Sequence, residues 1–203
     1  MFYFFVILGT IVSYLLGSIP SSVWIGKVFY GIDVREHGSG NAGTTNTFRV
    51  LGVKAAIPVF LIDVLKAFVA VLLGSWLSTY SLASWSCVIP LLFGLVAVLG
   101  HIFPIYVGFK GGKGVASLLG VALAVTPQAV LFALVVFVIV LLISHYVSLS
   151  SMSAGCSYPF FVFFVGNYSI LLKIFAIVIA VVILVTHRKN IARLRNGEES
   201  KIF

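Results

Sequence analysis

Two long stretches of the chain contain no charged residue. Residues 67–109 and residues 114–172 have no Asp, Glu, Lys or Arg, and the whole chain is 61% hydrophobic and 9% charged. A charge at the centre of a membrane-spanning helix costs about 2.5–3.5 kcal/mol on insertion scales, so charge-free stretches are where helices cross a bilayer. Runs such as residues 135–143 lack the apolar–polar alternation of a membrane β-barrel. The sequence therefore predicts an all-α, polytopic membrane protein and excludes a soluble domain.

The apolar segments predict a membrane helix bundle of about seven transmembrane helices, with five as the alternative. Three segments are each long enough to span a bilayer: residues 2–25, 55–77 and 86–107. Residues 115–186 could form two long helices or four short ones, and three breaks favour four. We expect these breaks at residues 126–127, 148–155 and 166–167. Because no soluble segment or internal repeat interrupts the pattern, we predict a single membrane domain over residues 1–203.

The basic residues gather in three polar segments between the apolar ones. All but two of the 13 Lys and Arg residues lie in three polar segments or their flanks. These are the first polar segment (residues 38–52), which follows a charged connector at residues 27–36, the second (residues 100–117) and the third (residues 187–199). Both odd span counts place the N-terminus outside and the C-terminus, with all three segments, on the other side of the membrane. The Lys/Arg bias makes that side cytoplasmic. A topology signal with attraction to anionic lipid is the simpler interpretation for the third segment alone.

The first polar segment combines glycines with side-chain donors. Glycine permits positive φ, so successive backbone N–H groups can converge on an anion while hydroxyls and amides add donors. The guanidinium of Arg49 is suited to binding a phosphate through two parallel hydrogen bonds. On composition alone, a solvated loop of turn residues is an equally good interpretation. The candidate ligands are Ser39, Gly40, Asn41, Thr45, Asn46 and Arg49.

The second polar segment places lysines and glycines directly before an apolar helix. A helix N-terminus with such residues is a natural phosphate site, and the candidates are Lys110, Gly111, Gly112, Lys113 and Gly114. The spacing from Gly108 to Lys113 does not fit a nucleotide-binding P-loop, and Gly114 stands where that motif needs Ser or Thr. An NTPase is therefore excluded. We interpret His101 as an interfacial hydrogen-bonding residue rather than a catalyst.

The third polar segment begins where the last apolar segment ends. At helical spacing His187 and Asn190 share one face, with Arg193 beside them. This face could be catalytic, or it could belong to a basic amphipathic segment that ends the last span, which composition alone favours. We predict that Glu199 forms a structural ion pair with an arginine.

Asp63 and Lys66 are two charged residues within the second predicted span. They are three residues apart, and Asp63 would lie roughly 13 Å along the helix from Lys54. Charged groups at such a depth face the interior of a bundle and pair with each other. We predict a structural ion pair in preference to a direct catalytic role.

These residues together resemble the bacterial acyl-phosphate:glycerol-3-phosphate acyltransferase family. The likeness covers essentially the full length, since YLLGSIP (residues 14–20), LIDVLK (residues 61–66) and the three polar segments follow that family's order. The chain departs only slightly from the residues usual in that family: Ala67 stands where glycine is common, and Ser117 stands where threonine is frequent. Glu199 takes the place of the family's characteristic glutamate.

The resemblance implies an acyltransferase of the bacterial cytoplasmic (inner) membrane that catalyses the first membrane step of phospholipid synthesis. It would transfer an acyl group from acyl phosphate to the 1-position of sn-glycerol 3-phosphate, giving 1-acylglycerol 3-phosphate and phosphate. The expected partners are these two substrates, membrane lipid and the soluble enzyme that makes acyl phosphate, but not nucleic acid. No cofactor is expected, and no metal, because the basic side has no carboxylate cluster to hold Mg²⁺.

The resemblance also suggests roles for the candidate residues, with positioning and charge stabilisation as the mechanism. One phosphate would be bound by Ser39, Asn41, Thr45 and Arg49, and the other by Lys110, Lys113 and the amides of residues 111–114. His187 and Asn190 would orient the attacking hydroxyl. The assignment of each loop to a substrate stays open, as does the proton acceptor, which is either His187 or a phosphate oxygen of a substrate.

Two other classes of protein compete with this interpretation. A transporter of organic phosphate would need charged groups and interrupted helices near the membrane midplane, for which Asp63 and Lys66 are the main support. A scaffold that recruits soluble enzymes through the basic face would leave the glycine-rich loops unexplained. The sequence also lacks the HxxxxD motif of the acyl-CoA-dependent acyltransferases, which argues against that class of enzyme. At this spacing Tyr106 follows His101 and Ala192 follows His187.

Overall fold

The computed structural model describes residues 1–80 and 87–202, and this part of the chain is helical without any strand. Two short 3₁₀ turns, Val34–Glu36 and Ile105–Val107, accompany the α-helices. The predicted all-α class is confirmed. The α-helices are α1 (Phe2–Gly17), α2 (Ser21–Tyr30), α3 (Thr44–Leu51), α4 (Val53–Ser78), α5 (Val88–Ile102), α6 (Val115–Val125), α7 (Pro127–Ser144), α8 (Val147–Phe164), α9 (Ile170–Thr186) and α10 (Arg188–Arg195).

Within the described ranges, four helical segments are long and apolar enough to cross a membrane by themselves. They are Val53–Ser78, Val88–Val107, Pro127–Ser144 and Val147–Phe164. The number rises to six if each of two bent helix pairs, α1 with α2 and α9 with α10, forms one span. The helix α6 is apolar but shorter. Seven spans, and the sidedness of the termini, stay predictions. The start predicted for the third span, Ser86, lies outside the described residues.

The first predicted span is not one straight helix. The sequence pattern indicated a continuous helix over residues 2–25, but α1 ends at Gly17 and α2 begins at Ser21 after a bend of 42°. Pro20 lies at this break. Proline has no N–H to donate and disfavours helical geometry in the residue before it, so the helix is interrupted here.

Two of the three breaks predicted in the C-terminal half are confirmed, and the third is misplaced. Thr126 separates α6 from α7, and residues 165–169 separate α8 from α9. The break predicted at residues 148–155 is wrong, because these residues lie inside α8. Serines within a helix can donate to the carbonyl one turn earlier, as Ser150 does to Tyr146 and Ser151 does to Val147. The break occurs at His145, which has a positive φ of 63°.

By its packing the chain divides into two compact units, Met1–Ala124 and Val125–Phe203. In the N-terminal unit, α1, α4 and α5 pack against one another, with Phe93 fully buried, and α3 packs on α4. In the C-terminal unit, α8 packs against both α7 and α9, and α10 follows α9 after a bend of 57°. The N-terminal unit contains the first two polar segments and the C-terminal unit contains the third.

Candidate active site

The first two polar segments share one construction. Each is a glycine-rich loop that runs directly into a helix, α3 from Thr44 and α6 from Val115. Gly114, immediately before α6, has a φ of +82°, which side chains of L-residues rarely allow. The first turn of a helix has N–H groups without helical partners, and the helix dipole favours an anion there. The N-terminal unit therefore contains two loop-to-helix junctions suited to phosphate.

Asn46 organises the first of these loops. Its side chain is 2% exposed, and its Oδ1 accepts hydrogen bonds from the backbone N and the Oγ of Ser39 at 2.8 and 3.0 Å. Its Nδ2 donates to the carbonyl oxygens of Val34 and His37 at 2.7 and 3.1 Å. These four bonds use both amide donors and both acceptor positions. Asn46 was a candidate phosphate ligand, but this geometry favours a role in holding Ser39.

Arg35 lies just before the first polar segment and binds the second, and no sequence pattern had indicated this contact. Its Nη1 donates to the carbonyl oxygen of Val107 at 2.9 Å, and its Nε and Nη2 bind the two carboxylate oxygens of Asp33 at 3.0 and 2.7 Å. The hydrogen bonds from the Arg35 side chain hold the pKa of Asp33 well below its usual range, with a smaller contribution from Lys27. The sequence feature that could have drawn attention to Arg35 is the acidic residue two positions before it.

The second loop packs against the first and against the end of α5. A Cβ atom on Gly112 would lie 3.0 Å from the carbonyl oxygen of Ala42, which belongs to the first polar segment. The N–H groups of Gly111 and Gly112 donate to the carbonyl oxygens of Ile102 and His101, each at 3.2 Å. The expectation that these two amides face a phosphate is therefore corrected, since both already have acceptors within the protein. The N–H groups at the start of α6 are better placed as phosphate donors.

The ion pair predicted between Asp63 and Lys66 is present. Lys66 Nζ lies 2.8 Å from Asp63 Oδ1, and both side chains are buried. The same oxygen accepts a hydrogen bond from Ser21 Oγ at 2.8 Å and lies 3.4 Å from His101 Nδ1. Lys66 also donates to the carbonyl oxygen of Ile19, in the break between α1 and α2, at 2.8 Å. The pair is thus part of a buried polar cluster within the N-terminal unit.

In the C-terminal unit, the third polar segment fixes the orientation of His187. This residue directly follows α9 and is 2% exposed, and its Nδ1 lies 2.7 Å from the carbonyl oxygen of Ile183. A carbonyl oxygen can only accept, so Nδ1 carries the hydrogen. The neutral ring therefore has its lone pair on Nε2, which can accept a proton.

Glu199 forms hydrogen bonds with the other two candidates of this segment, Asn190 and Arg193. Its Oε1 accepts from Asn190 Nδ2 at 2.6 Å and from Ser148 Oγ at 2.7 Å, and its Oε2 accepts from Arg193 Nε at 2.7 Å. The predicted ion pair between Glu199 and an arginine is confirmed. Because a carboxylate only accepts, Asn190 must turn its Nδ2 toward Glu199. Its buried Oδ1 then has no hydrogen-bond partner in the part of the chain that the structure describes.

Replacing Glu199 with glutamine is expected to change how stability depends on pH. Burial alone would raise the pKa of Glu199, but the hydrogen bonds from Ser148, Asn190 and Arg193 outweigh burial and lower the pKa below its usual value of 4.5. A carboxylate with a lowered pKa stabilises the folded state fully above its ordinary value, and this stabilisation is lost as the pH falls from that value through the lowered folded-state pKa. We expect Glu199→Gln to lower Tm by several degrees at pH 7 and by progressively less as the pH is lowered below 4.5. A difference in Tm between the two proteins that stays constant as the pH falls below 4.5 would contradict this role.

Known proteins match nearly the whole chain. A profile of the glycerol-3-phosphate acyltransferase family matches residues 7–197. The glycerol-3-phosphate acyltransferase of Streptococcus thermophilus strain CNRZ 1066 is 43% identical over 204 residues, which are 97% of this chain and 93% of that protein. The enzyme of the same description from Streptococcus pneumoniae strain Taiwan19F-14 is 44% identical over 199 residues, covering 95% of this chain and 91% of the relative.

Two crystal structures of PlsY, an integral membrane glycerol 3-phosphate acyltransferase, have the same fold. The glycerol 3-phosphate form has a TM-score of 0.87 and 42% identity, and the lysophosphatidic acid form has a TM-score of 0.84 and 41% identity. Each comparison covers 97% of this chain and 94% of the PlsY chain. With its sequence relatives, its helical membrane architecture and this structural match, the chain belongs to the glycerol-3-phosphate acyltransferase family.

Proposed function

We propose that the protein transfers an acyl group from acyl phosphate to the 1-hydroxyl of sn-glycerol 3-phosphate. The products are 1-acylglycerol 3-phosphate (lysophosphatidate) and inorganic phosphate. The observation that carries this proposal is the pair of glycine-rich loop-to-helix junctions, which adjoin at Gly112 and Ala42 in the N-terminal unit. Two phosphate-bearing substrates require two anion sites. The glycerol 3-phosphate and lysophosphatidic acid forms of PlsY support the acceptor and the product.

The chemistry needs positioning and charge stabilisation more than a protein nucleophile. Acyl phosphate is a mixed anhydride and is already activated, so no acyl-enzyme intermediate is required. The hydroxyl oxygen of glycerol 3-phosphate attacks the acyl carbon, the bond from that carbon to the phosphate oxygen breaks, and phosphate leaves with the electron pair. The protein holds the two substrates together and stabilises the negative charge that develops on the leaving group.

The first polar segment binds one phosphate in this proposal. Asn46 holds Ser39 in place, so the loop is organised before substrate arrives. Asn41 and Thr45 supply short-range donors near the start of α3. Ser39 and Gly40 shape the loop instead, because the N–H and hydroxyl of Ser39 donate to Asn46 and the N–H of Gly40 donates to the His37 carbonyl oxygen. Arg49, partly buried on α3, supplies a charged fork for bidentate hydrogen bonding.

The second polar segment binds the other phosphate. Lys110 and Lys113 supply positive charge, and the first turn of α6 supplies N–H groups. Gly111, Gly112 and Gly114 allow the loop to fold closely over the end of α5. Either substrate is compatible with either loop. Measuring the KM for each substrate in variants of each loop would assign the loops to the substrates.

Two acceptors of the third polar segment act on the attacking hydroxyl. His187 has its lone pair on Nε2, and Asn190 has Oδ1 directed away from Glu199. We propose that Asn190 Oδ1 orients the hydroxyl and that His187 Nε2 accepts its proton. Arg193 is held by Glu199 and adds positive charge near these two groups.

The proposal places these loops on the cytoplasmic side of the bacterial inner membrane, with about seven spans in one membrane domain. The strong Lys/Arg bias of the three polar segments supports that side. Acyl phosphate is made by a soluble enzyme, and a cytoplasmic basic surface is accessible to it. Catalysis is proposed to need no metal, because lysines, an arginine and helix N-termini supply the positive charge.

The test is phosphate release by the purified, detergent-solubilised protein supplied with palmitoyl phosphate, with and without glycerol 3-phosphate. We expect release that requires glycerol 3-phosphate, is matched by lysophosphatidate and persists in a chelator. A dependence on acyl-CoA or on Mg²⁺ would contradict the donor or the mechanism. A broken helix beside a buried ion cluster is also typical of transporters. Binding of glycerol 3-phosphate without turnover would therefore favour transport, to be measured as flux in proteoliposomes.

A further inference from the structure

The proposed chemistry does not use the buried carboxylate of Asp63. This side chain lies in the membrane-spanning α4 and is 1% exposed, with Lys66, Ser21 and His101 around its Oδ1. Burying an ion pair is costly, and a well-packed apolar pair of similar volume is often at least as stable. Stability alone is therefore a weak reason for a carboxylate at this place.

Asp63 holds the second polar segment at both ends. His101, near the beginning of the segment, turns Nδ1 toward Asp63 Oδ1 at 3.4 Å. Ser117, its last residue, is fully buried and donates from Oγ to the backbone oxygen of Asp63 at 3.1 Å. One residue of α4 thus anchors the chain before and after the lysine–glycine loop, residues 110–114.

The imidazole of His101 also lies directly against this loop. Gly112 N donates to the His101 carbonyl oxygen, and a Cβ atom on Gly112 would overlap His101 Nε2. The ring therefore fills the space beneath Gly112, with Nδ1 toward Asp63 and Nε2 toward the loop. A change in the orientation of this ring would displace Gly112 and the lysines on either side of it.

We propose that Asp63 is a positioning residue: its carboxylate acts through His101 and its backbone carbonyl acts through Ser117 to hold the loop at residues 110–114 in the shape that binds a substrate phosphate. This inference rests on the proposed function, because it assigns a phosphate to that loop. It also gives a functional reason for the buried polar cluster around Asp63. Asp63 is a fixed point in the helix α4, and it sets the geometry of the loop at residues 110–114, which its glycines would otherwise leave flexible.

The decisive variant is His101→Phe, which keeps a ring beneath Gly112 but removes the donor to Asp63. We expect the KM for one substrate, the one whose phosphate occupies this loop, to rise about tenfold or more, with the other KM within about twofold of wild type. A variant that is merely less stable would contain less active enzyme and would show a lower apparent kcat with both KM values unchanged. A fall in kcat alone, an equal rise in both KM values, or no change would overturn the proposal.

Three further variants complete the test. His101→Asn retains an N–H that can reach Asp63, so we expect it to recover most of the lost affinity. Ser117→Ala removes one oxygen atom and should raise the same KM as His101→Phe, which keeps the proposal testable if the ring variant does not fold. Ser13→Ala is the matched control, because Ser13 is equally buried but donates to Gly9 within its own helix. It should change neither KM.

The positioning role and the proposed function fail in different ways. Absence of turnover in the folded wild-type protein would contradict the proposed function. Normal wild-type turnover, with both KM values unchanged in His101→Phe and Ser117→Ala, would contradict the positioning role alone.

Discussion

Replacing Arg49 with lysine is expected to lower kcat/KM by about 100-fold or more, although the positive charge is kept. A guanidinium binds phosphate through two parallel N–H groups in a rigid plane, whereas an ammonium offers a single mobile point charge. Removing one preorganised donor from a developing charge typically costs about 10²–10³ in rate. Arg49 is partly buried on α3, one turn beyond the residues that begin this helix, so a lysine there would lack the planar fork.

The measurement is a comparison of kcat/KM for Arg49→Lys, Arg49→Ala and Arg195→Lys, each at saturating concentration of the second substrate. Arg195 is exposed on α10, and its replacement by lysine should leave kcat/KM within about twofold of wild type, as expected for a surface position. We expect Arg49→Lys to resemble Arg49→Ala more than wild type. Full activity in Arg49→Lys would show that only the charge is needed and would remove the bidentate role.

The helical architecture could be predicted because its signal is local. A long apolar stretch without charge, such as residues 114–172, favours membrane-spanning helices whatever segments surround it. The helix-breaking residues near Thr126 and Gly166 indicate where these helices end. The break at Pro20 was missed by the prediction of one span over residues 2–25, although a proline inside an apolar segment interrupts helical hydrogen bonding. The serine cluster of α8 misled the prediction, since its hydroxyls bond within the helix instead of ending it.

The two ion pairs were predictable from the sequence, but the contacts between distant segments were not. Glu199 was expected to pair with an arginine, and it does so with Arg193, which lies six residues earlier on α10. Asn46 binds Ser39 across a folded loop, and Ser117 binds the backbone of Asp63, which is distant in the sequence. Such contacts depend on how α3, α4 and α6 pack, and no single segment carries a signal for them.

Replacing His187 with glutamine is expected to lower kcat by about 10²–10⁴-fold, the usual range for loss of a general base. The structure gives His187 the tautomer that this role requires, because the Ile183 carbonyl oxygen fixes the hydrogen on Nδ1 and leaves Nε2 as an acceptor. A glutamine can keep a hydrogen bond to that carbonyl but cannot accept a proton during the reaction. Lys189→Gln, at an exposed position of α10, is the matched control and should retain kcat.

The pH dependence of kcat separates the two candidate proton acceptors. A histidine base acts only when it is unprotonated, so the wild-type rate should fall on the acid side, and this dependence should disappear in His187→Gln. If a substrate phosphate accepted the proton instead, the acid-side fall would persist in the variant, because the phosphate still titrates. A small loss of kcat with an unchanged acid limb would therefore exclude His187 as the base. It would leave His187 and Asn190 to orient the hydroxyl, while the substrate supplied its own acceptor.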